Sequence, residues 1–374
     1  MRFTKQWLRS KVSSTDFGTA FKSALGVALF LSSACSKPAS FSLLGTSQNF
    51  SQSAAKLNNQ IDILWVVDNS GSMDPLQQNL VANFNSFVTR FQTLGFDYKM
   101  AVTTTDSYLS EAQFKNDPSL ARVRDGYGSF HTGFNYITPF IPNIVGNFVE
   151  NATQGSSGSG DERAFSSLLD TLSSPVNSDF HRPGAFLAVI ILSDEDDFTD
   201  PARPEYSWMK TGGLPDHDYS NSNLISVDQV VNQLDNLTGS KASNRQYNVS
   251  TITVMDETCR SQHAQASPVT IVGQRYIDLA TKTSGIVGSV CDQSYASSLN
   301  FIQQKLVELT TQFPLQRQPD PTTIKVVVDN VLEAQDPVNG WTYSSVANSI
   351  VFHGTGVPTS SALIDVTFDP VSLL

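Results

Sequence analysis

Three oxygen-bearing side chains alternate in Asp68-Asn69-Ser70-Gly71-Ser72. One carboxylate and two hydroxyls at i, i+2 and i+4 suit a hard divalent cation, Mg²⁺ above all, and do not suit a soft metal. The residues just before them, IDILWVV (61–67), are a nearly unbroken apolar run rich in β-branched and aromatic side chains. Too short for a helix, that run reads as a strand buried on both faces of a parallel sheet. Ligands of open α/β sheets sit just beyond the carboxyl ends of strands, so the point where polarity flips is a favoured place for a site. The competing reading is a plain strand-to-helix turn with Asp and Ser as caps.

The rest of the chain supplies what such a site needs around it. Pro75 sits near a helix start with Asp74 as its cap, and Leu80, Phe84, Phe87, Val88 and Phe91 recur at helical spacing. YKMAVTTT (98–105) is the next strand. Residues 106–160 read as long and irregular, with a weak strand near Tyr136–Thr138; loops of that length are uncommon unless functional. GSSGSGDE (155–162) opens a helix carrying Phe165, Leu168, Leu169 and Leu172 on one face. FLAVIILS (186–193) is a second fully apolar strand and runs into Asp194-Glu195-Asp196-Asp197. A helix around Val227–Leu237, the strand YNVSTITVM (247–255), a helix at Tyr276–Leu279, the short strand IVGSV and a helix at Leu299–Leu309 follow. Strand alternating with helix predicts an α/β fold: a doubly wound, mostly parallel, Rossmann-like sheet flanked by helices. Past Phe313, Gln318-Pro319-Asp320-Pro321 reads as a linker. TIKVVVD, WTYSS, NSIVFHG and ALIDVTF then make a small C-terminal all-β module that docks on the main domain.

DNSGSM after a buried strand resembles the metal-ion-dependent adhesion site of von Willebrand factor A domains, and the alternation of elements over 60–316 is similar to that family's. The resemblance implies a cation site completed from two further loops. An aspartate closes it from the end of another central strand, the place Asp194 holds after FLAVIILS. A hydroxyl comes from the loop before the next helix, usually Thr about five positions before a small residue. Counting back from Ala164 gives Ser159, with Ser157 as the alternative. The implied cofactor is Mg²⁺ or Mn²⁺. The implied partner is a protein ligand that offers an Asp or Glu to the metal. SDEDD, RYIDLATKTSG and the C-terminal WTY and NSIVF segments also resemble a set of bacterial secreted relatives within that superfamily, which implies no activity. Asp196 and Asp197, with Glu195 and Asp200, admit two readings: a solvated acidic loop, or a second cation, Ca²⁺, that relieves their mutual repulsion.

The sequence has 374 residues with a net charge of −11. Residues 1–34 carry Arg2, Lys5, Arg9, Lys11 and Lys22 against Asp16 alone, so the remainder is more acidic still. An acidic body argues against nucleic acid as a partner. A basic start followed by ALGVALFL reads as a secretory signal peptide over 1–34. LSSAC resembles a bacterial lipobox, in which Cys35 is lipidated and heads a polar tether over 35–59 with room for one short strand; Ser32 departs from the usual aliphatic residue. The alternative is ordinary cleavage that leaves Cys35 a free thiol. With Cys35 lipidated, Cys259 and Cys291 remain as a pair in an oxidising compartment, and a disulfide is expected. The small β module occupies 317–374.

Enzyme signatures are missing: none of the five histidines falls in HExxH, and there is no GxSxG, Walker A or GxGxxG. The Gly/Ser loop at 155–160 lacks the Lys of a phosphate cradle. The expected function is therefore cation-dependent protein binding or adhesion by a lipid-anchored protein of the bacterial envelope. The alternative is a periplasmic scaffold or assembly factor with a structural metal.

Overall fold

A computed structural model describes residues 50–55, 59–202, 218–242, 244–264, 270–359 and 362–371. The expected signal peptide, Cys35 and most of the tether lie outside these residues. In chain order the elements begin with β1 (Phe50–Ala55), β2 (Gln60–Val67), α1 (Asp74–Thr93), β3 (Asp97–Thr104), a small hairpin of β4 (Gly126–Tyr127) and β5 (Phe130–His131), and α2 (Ile144–Ala152). They continue with α3 (Ala164–Ser173), β6 (Phe186–Leu192), α4 (Val227–Thr238), β7 (Tyr247–Thr253), α5 (Glu257–His263), α6 (Gln274–Lys282), β8 (Val287–Ser289) and α7 (Ala296–Thr310). Last come β9 (Phe313–Pro314), β10 (Lys325–Val328), β11 (Val331–Leu332), β12 (Trp341–Ser344), β13 (Ser349–Phe352) and β14 (Ile364–Phe368).

The central sheet has five strands in the order β3-β2-β6-β7-β8, all parallel. β2 is buried on both faces because its period-two side chains meet two different layers. Ile61, Ile63, Trp65 and Val67 face α1 and α7, among Leu80, Phe84, Phe87, Phe91, Leu299, Ile302 and Leu306. Leu64 and Val66 face the other way, into Phe165 and Leu168 of α3, Val230 and Leu234 of α4, and Leu279 of α6. This is the doubly wound α/β architecture expected, with small antiparallel sheets in the C-terminal region.

Three details differ from the sequence reading. Asp74 is the first residue of α1 and does not cap it; Met73 stands at the cap with no side-chain hydrogen bond. Within 106–160 the chain forms α2, whose Phe148 ring stacks on Phe84 at 3.4 Å between centroids. Pro142 before it and Gly146 inside it disguise its helical pattern. The weak strand near 136–138 is reduced to one antiparallel bridge, Met100 with Ile137.

The C-terminal strands form two sheets, β1-β14-β10-β11 and β12-β13-β9. β1, a short strand of the kind the reading of the tether allowed for, pairs with β14 from Phe50 opposite Phe368 to Ala55 opposite Ile364. Val326, Trp341, Ile350, Phe352, Val366 and Phe368 lie in the same apolar cluster as the residues of α1 and α7. Sheets and core alike continue across residue 316, since β9 before it pairs with β13 after it and β1 pairs with β14. Among the described residues no helix is long and apolar enough to cross a membrane.

Candidate functional site

β2 is followed in space by β3 on one side and β6 on the other. Their order makes the gap between the carboxyl ends of β2 and β6 the topological switch point of the sheet. Asp68 leaves β2 there, held by its own N–H donating to Leu192 O at 2.9 Å. Asp194 follows β6 two residues beyond Leu192. Both are fully buried.

The expected ligands are linked directly. Ser70 N–H donates to Asp68 Oδ1 at 2.8 Å, the Ser70 and Ser72 hydroxyl oxygens lie 3.5 Å apart, and Ser72 Oγ donates to Asp194 Oδ1 at 2.9 Å. Asp68 Oδ2 accepts from Ser193 Oγ at 2.7 Å. Asp194 Oδ2 lies 2.8 Å from His263 Nε2, at the end of α5. α5 is tied down by the Cys259–Cys291 disulfide, with the two Cα atoms 5.6 Å apart. The expected pairing is thus present, and it anchors the helix that brings His263 to Asp194.

Gln77 joins three segments into one frame. From α1 its Nε2 donates to Asp68 O at 2.8 Å and Gly155 O at 2.9 Å, while its Oε1 accepts from Gln154 N–H at 2.9 Å. Gly158 N–H donates to Asn69 O at 2.8 Å. A Cβ at Gly158 would run into the Asn69 side chain, so glycine permits this approach.

Ser159 belongs to this loop cluster, but its hydrogen bonds lead elsewhere. Its N–H donates to both Asp106 carboxylate oxygens at 3.2 Å, and its Oγ accepts from Asp161 N–H at 3.1 Å. Ser157 is exposed. Asp106, at the carboxyl end of β3, also accepts from Asn69 Nδ2 at 3.1 Å. The same cue that marks Asp194, an Asp just past a buried strand, marks Asp106. Sequence reading passed over it, and over Ser193 and His263. For His263 no sequence cue exists, because it meets Asp194 only through tertiary packing.

Burial and like charge perturb the cluster. Burial, with Asp194 adding to it, pushes Asp68 up to about 7 despite its bonds from Ser193 and Ser70. Burial and the neighbouring Asp68 and Asp194 hold Glu195 well above the usual carboxylate range. Such an arrangement fits a hard divalent cation: a +2 charge at Asp68 and Asp194 would offset what burial costs them. Among the described residues no three His, Cys, Asp or Glu side chains gather to hold an ion by themselves, so serine hydroxyls are needed to complete this donor set.

The acidic run beyond Asp194 is buried, not solvated. Asp196 accepts from Asp197 N–H at 2.9 Å and from Arg275 N–H, in the first turn of α6, at 3.0 Å; burial nonetheless pushes it up to about 8. Asp197 Oδ2 accepts from Phe165 N–H at 2.8 Å, in the first turn of α3, and from Thr199 Oγ1 at 3.0 Å. Arg275 lies 3.4 Å from Asp197 Oδ1. Both carboxylates therefore serve helix N-termini, where anions are favoured. Arg275 and backbone N–H groups are the partners that these two carboxylates have.

No protein-family model matches the chain, and no curated protein matches it. Solved structures align with it at low similarity. Proximal thread matrix protein 1 from the mussel byssus aligns at 12% identity and TM-score 0.34, over 71% of this chain and 51% of that one. The pilus adhesin SpaC from Lactobacillus rhamnosus GG aligns at 12% and 0.38, over 84% and 39%. Three N-terminal domains of the type V pili tip protein Mfa5 from Porphyromonas gingivalis align at 11% and 0.32, over 84% and 62%. The chain spans less than two thirds of each, and at these scores the likeness carries nothing about function.

Proposed function

We propose that the protein binds Mg²⁺ or Mn²⁺ through Asp68, Ser70, Ser72 and Asp194, in the manner of a von Willebrand A-type adhesion site, and through that ion a protein ligand. The observation that carries this reading is the Ser72–Asp194 contact at 2.9 Å, which joins the motif after β2 to the aspartate after β6 across the switch point. When bound, the ion supplies a fixed positive charge with an open coordination position. Mg²⁺ takes about six oxygens in near-octahedral geometry and keeps several waters, so a partner oxygen has a place to enter. The chain's own residues hold the frame: Ser193 and His263 orient the two aspartates, and Gln77 locks the loops. Function by binding, with no catalytic step, is part of the proposal. So is a place on the bacterial envelope through lipid on Cys35.

Full burial of Asp68 and Asp194 favours a second reading, a structural metal in an envelope scaffold. Calorimetry on the purified protein separates these. Wild type is expected to bind Mg²⁺ or Mn²⁺. Asp68→Ala and Asp194→Ala are expected to keep the fold by circular dichroism and to lose affinity beyond the roughly 10- to 100-fold typical of outer-sphere partners. No cation binding by wild type sinks the proposal, and partner binding that survives EDTA makes the metal structural.

A further inference from the structure

A cleft of about 560 Å³ opens between the second half of α7, the last turn of α1 and the turns at 337–339 and 353–357. Ligand pockets run from roughly 300 to 1,000 Å³, so this one has the size of a site. α1 leaves the carboxyl end of β2 and delivers the chain to the amino end of β3, where Asp97 pairs with Gln60. Arg90 and the cleft therefore lie at the opposite end of the sheet from Asp68 and Asp194. The walls are fixed by hydrogen bonds. Arg90 donates to Gly354 O at 2.6 Å, Asn339 Oδ1 accepts from Thr355 N–H at 3.2 Å, and Asp336 Oδ1 accepts from Val338 N–H at 2.6 Å. Gly354 has φ +55°, and a Cβ there would run into Val338 O, so glycine lets the two turns close on each other.

The lining narrows the ligand. Its formal charges, Arg90 and Glu308, are opposite in sign, and each is engaged already: Arg90 with Gly354 O, Glu308 with Lys305 at 3.3 Å. Neither sign of ligand is favoured. Asn300, Gln303 and Gln304 stand at i, i+3 and i+4, on one face of α7. Each carboxamide both donates and accepts. Gln303 is only 4% exposed, and its Nε2 has no hydrogen-bond partner among the described residues. A buried donor left without an acceptor is costly. Val307, Phe352 and Val357 add apolar surface to the same cleft. An extended peptide finds no strand edge here, because β13, which supplies Phe352, is the middle strand of β12-β13-β9.

We infer that this cleft binds a neutral saccharide, with the carboxamide face of α7 meeting its hydroxyls and the apolar residues meeting its C–H faces. A sugar hydroxyl, like a carboxamide, donates and accepts at once, and it needs no opposite charge. The inference is independent of the cation reading, and EDTA can be present throughout its test.

The test uses cellotriose, maltotriose and N,N′,N″-triacetylchitotriose as probes, with saturation-transfer NMR for contact and calorimetry for affinity. N-acetyl-trialanine amide is titrated in parallel. Wild type is expected to bind at least one of the sugars and not the peptide. Gln303→Leu is expected to weaken sugar binding roughly two- to tenfold, as loss of one hydrogen bond does. Asn300→Ala with Gln304→Ala, both at exposed positions, is expected to weaken it roughly tenfold, two such bonds being lost, with Tm unchanged. If Gln303→Leu does not fold, the exposed pair decides alone. Wild type that binds none of the sugars overturns the inference. So does sugar binding that the exposed pair leaves unchanged, since the sugar would then sit elsewhere. Binding of the peptide in place of the sugars overturns it as well and makes the cleft a peptide site.

Discussion

Asp170 on α3 is pushed up to about 8, first by burial and then by the neighbouring Glu111 carboxyl. An acid whose folded value is raised adds stability below its unfolded value, near 3.8, and that stability is lost as pH rises through the folded value. The window for Asp170 thus runs from about pH 4 to about pH 8. Asp170→Asn is expected to be more stable than wild type at pH 8, with the gap closing toward pH 5. Denaturant melts of both proteins at the two pH values check this, and an equal gap at both would show that the carboxyl pair does not matter. The pair lies outside the cation cluster, so the comparison can be made with EDTA present throughout.

α5 is a short helix whose value lies in its two ends. Asp256 caps it by accepting from Cys259 N–H at 2.8 Å, Cys259 is bonded to Cys291, and His263 at the far end reaches Asp194. Seven residues are too few to hold a helix without such ties. Cys259→Ser with Cys291→Ser opens a loop whose ends are 32 positions apart, for which the chain-entropy model gives roughly 3–4 kcal/mol. A fall in Tm and faster amide exchange over 257–263 are expected. Unchanged exchange there would mean that packing alone seats α5. Gln77 works in the same way from inside α1, since one buried amide makes three bonds that fix the motif and the 154–155 backbone together.

At the scale of the whole molecule, the described residues pack as one unit. β9 follows α7 directly and pairs with β13, Leu315 N–H donates to Asn348 O at 2.8 Å, and Arg90 of α1 donates to Gly354 O at 2.6 Å. Trp341, Ile350 and Phe352 then cover the apolar side of α1 and α7. A chain cut after residue 316 loses these three large side chains from the core, each worth about 1.5–3 kcal/mol of burial. Together they rival the whole stability of a domain. The truncated chain is expected to show no cooperative melt by circular dichroism. A sharp transition near that of the full chain would show that the central sheet needs no C-terminal cover.

Local pattern was enough to place the central sheet, because β2 and β6 are apolar runs bounded by abrupt polarity changes and the helices between them keep a regular apolar stripe. The carboxyl ends of two buried strands are legible in one dimension as well, and the structure brings Ser72 and Asp194 from those ends together; their role as cation ligands is what the family resemblance implied. Cysteine parity pointed to the 259–291 bond. Only the tertiary structure decided the rest. α2 is set by Phe148 stacking on Phe84, a contact between residues 64 positions apart. β1 is a strand because β14 offers it a partner. Asp196 and Asp197, alike in sequence to their acidic neighbours, become acceptors for α6 and α3 once those helix ends are brought to them. His263 enters the cluster for the same reason. Which donors surround a buried polar group depends on how separate segments meet, and spacing along the chain does not record it.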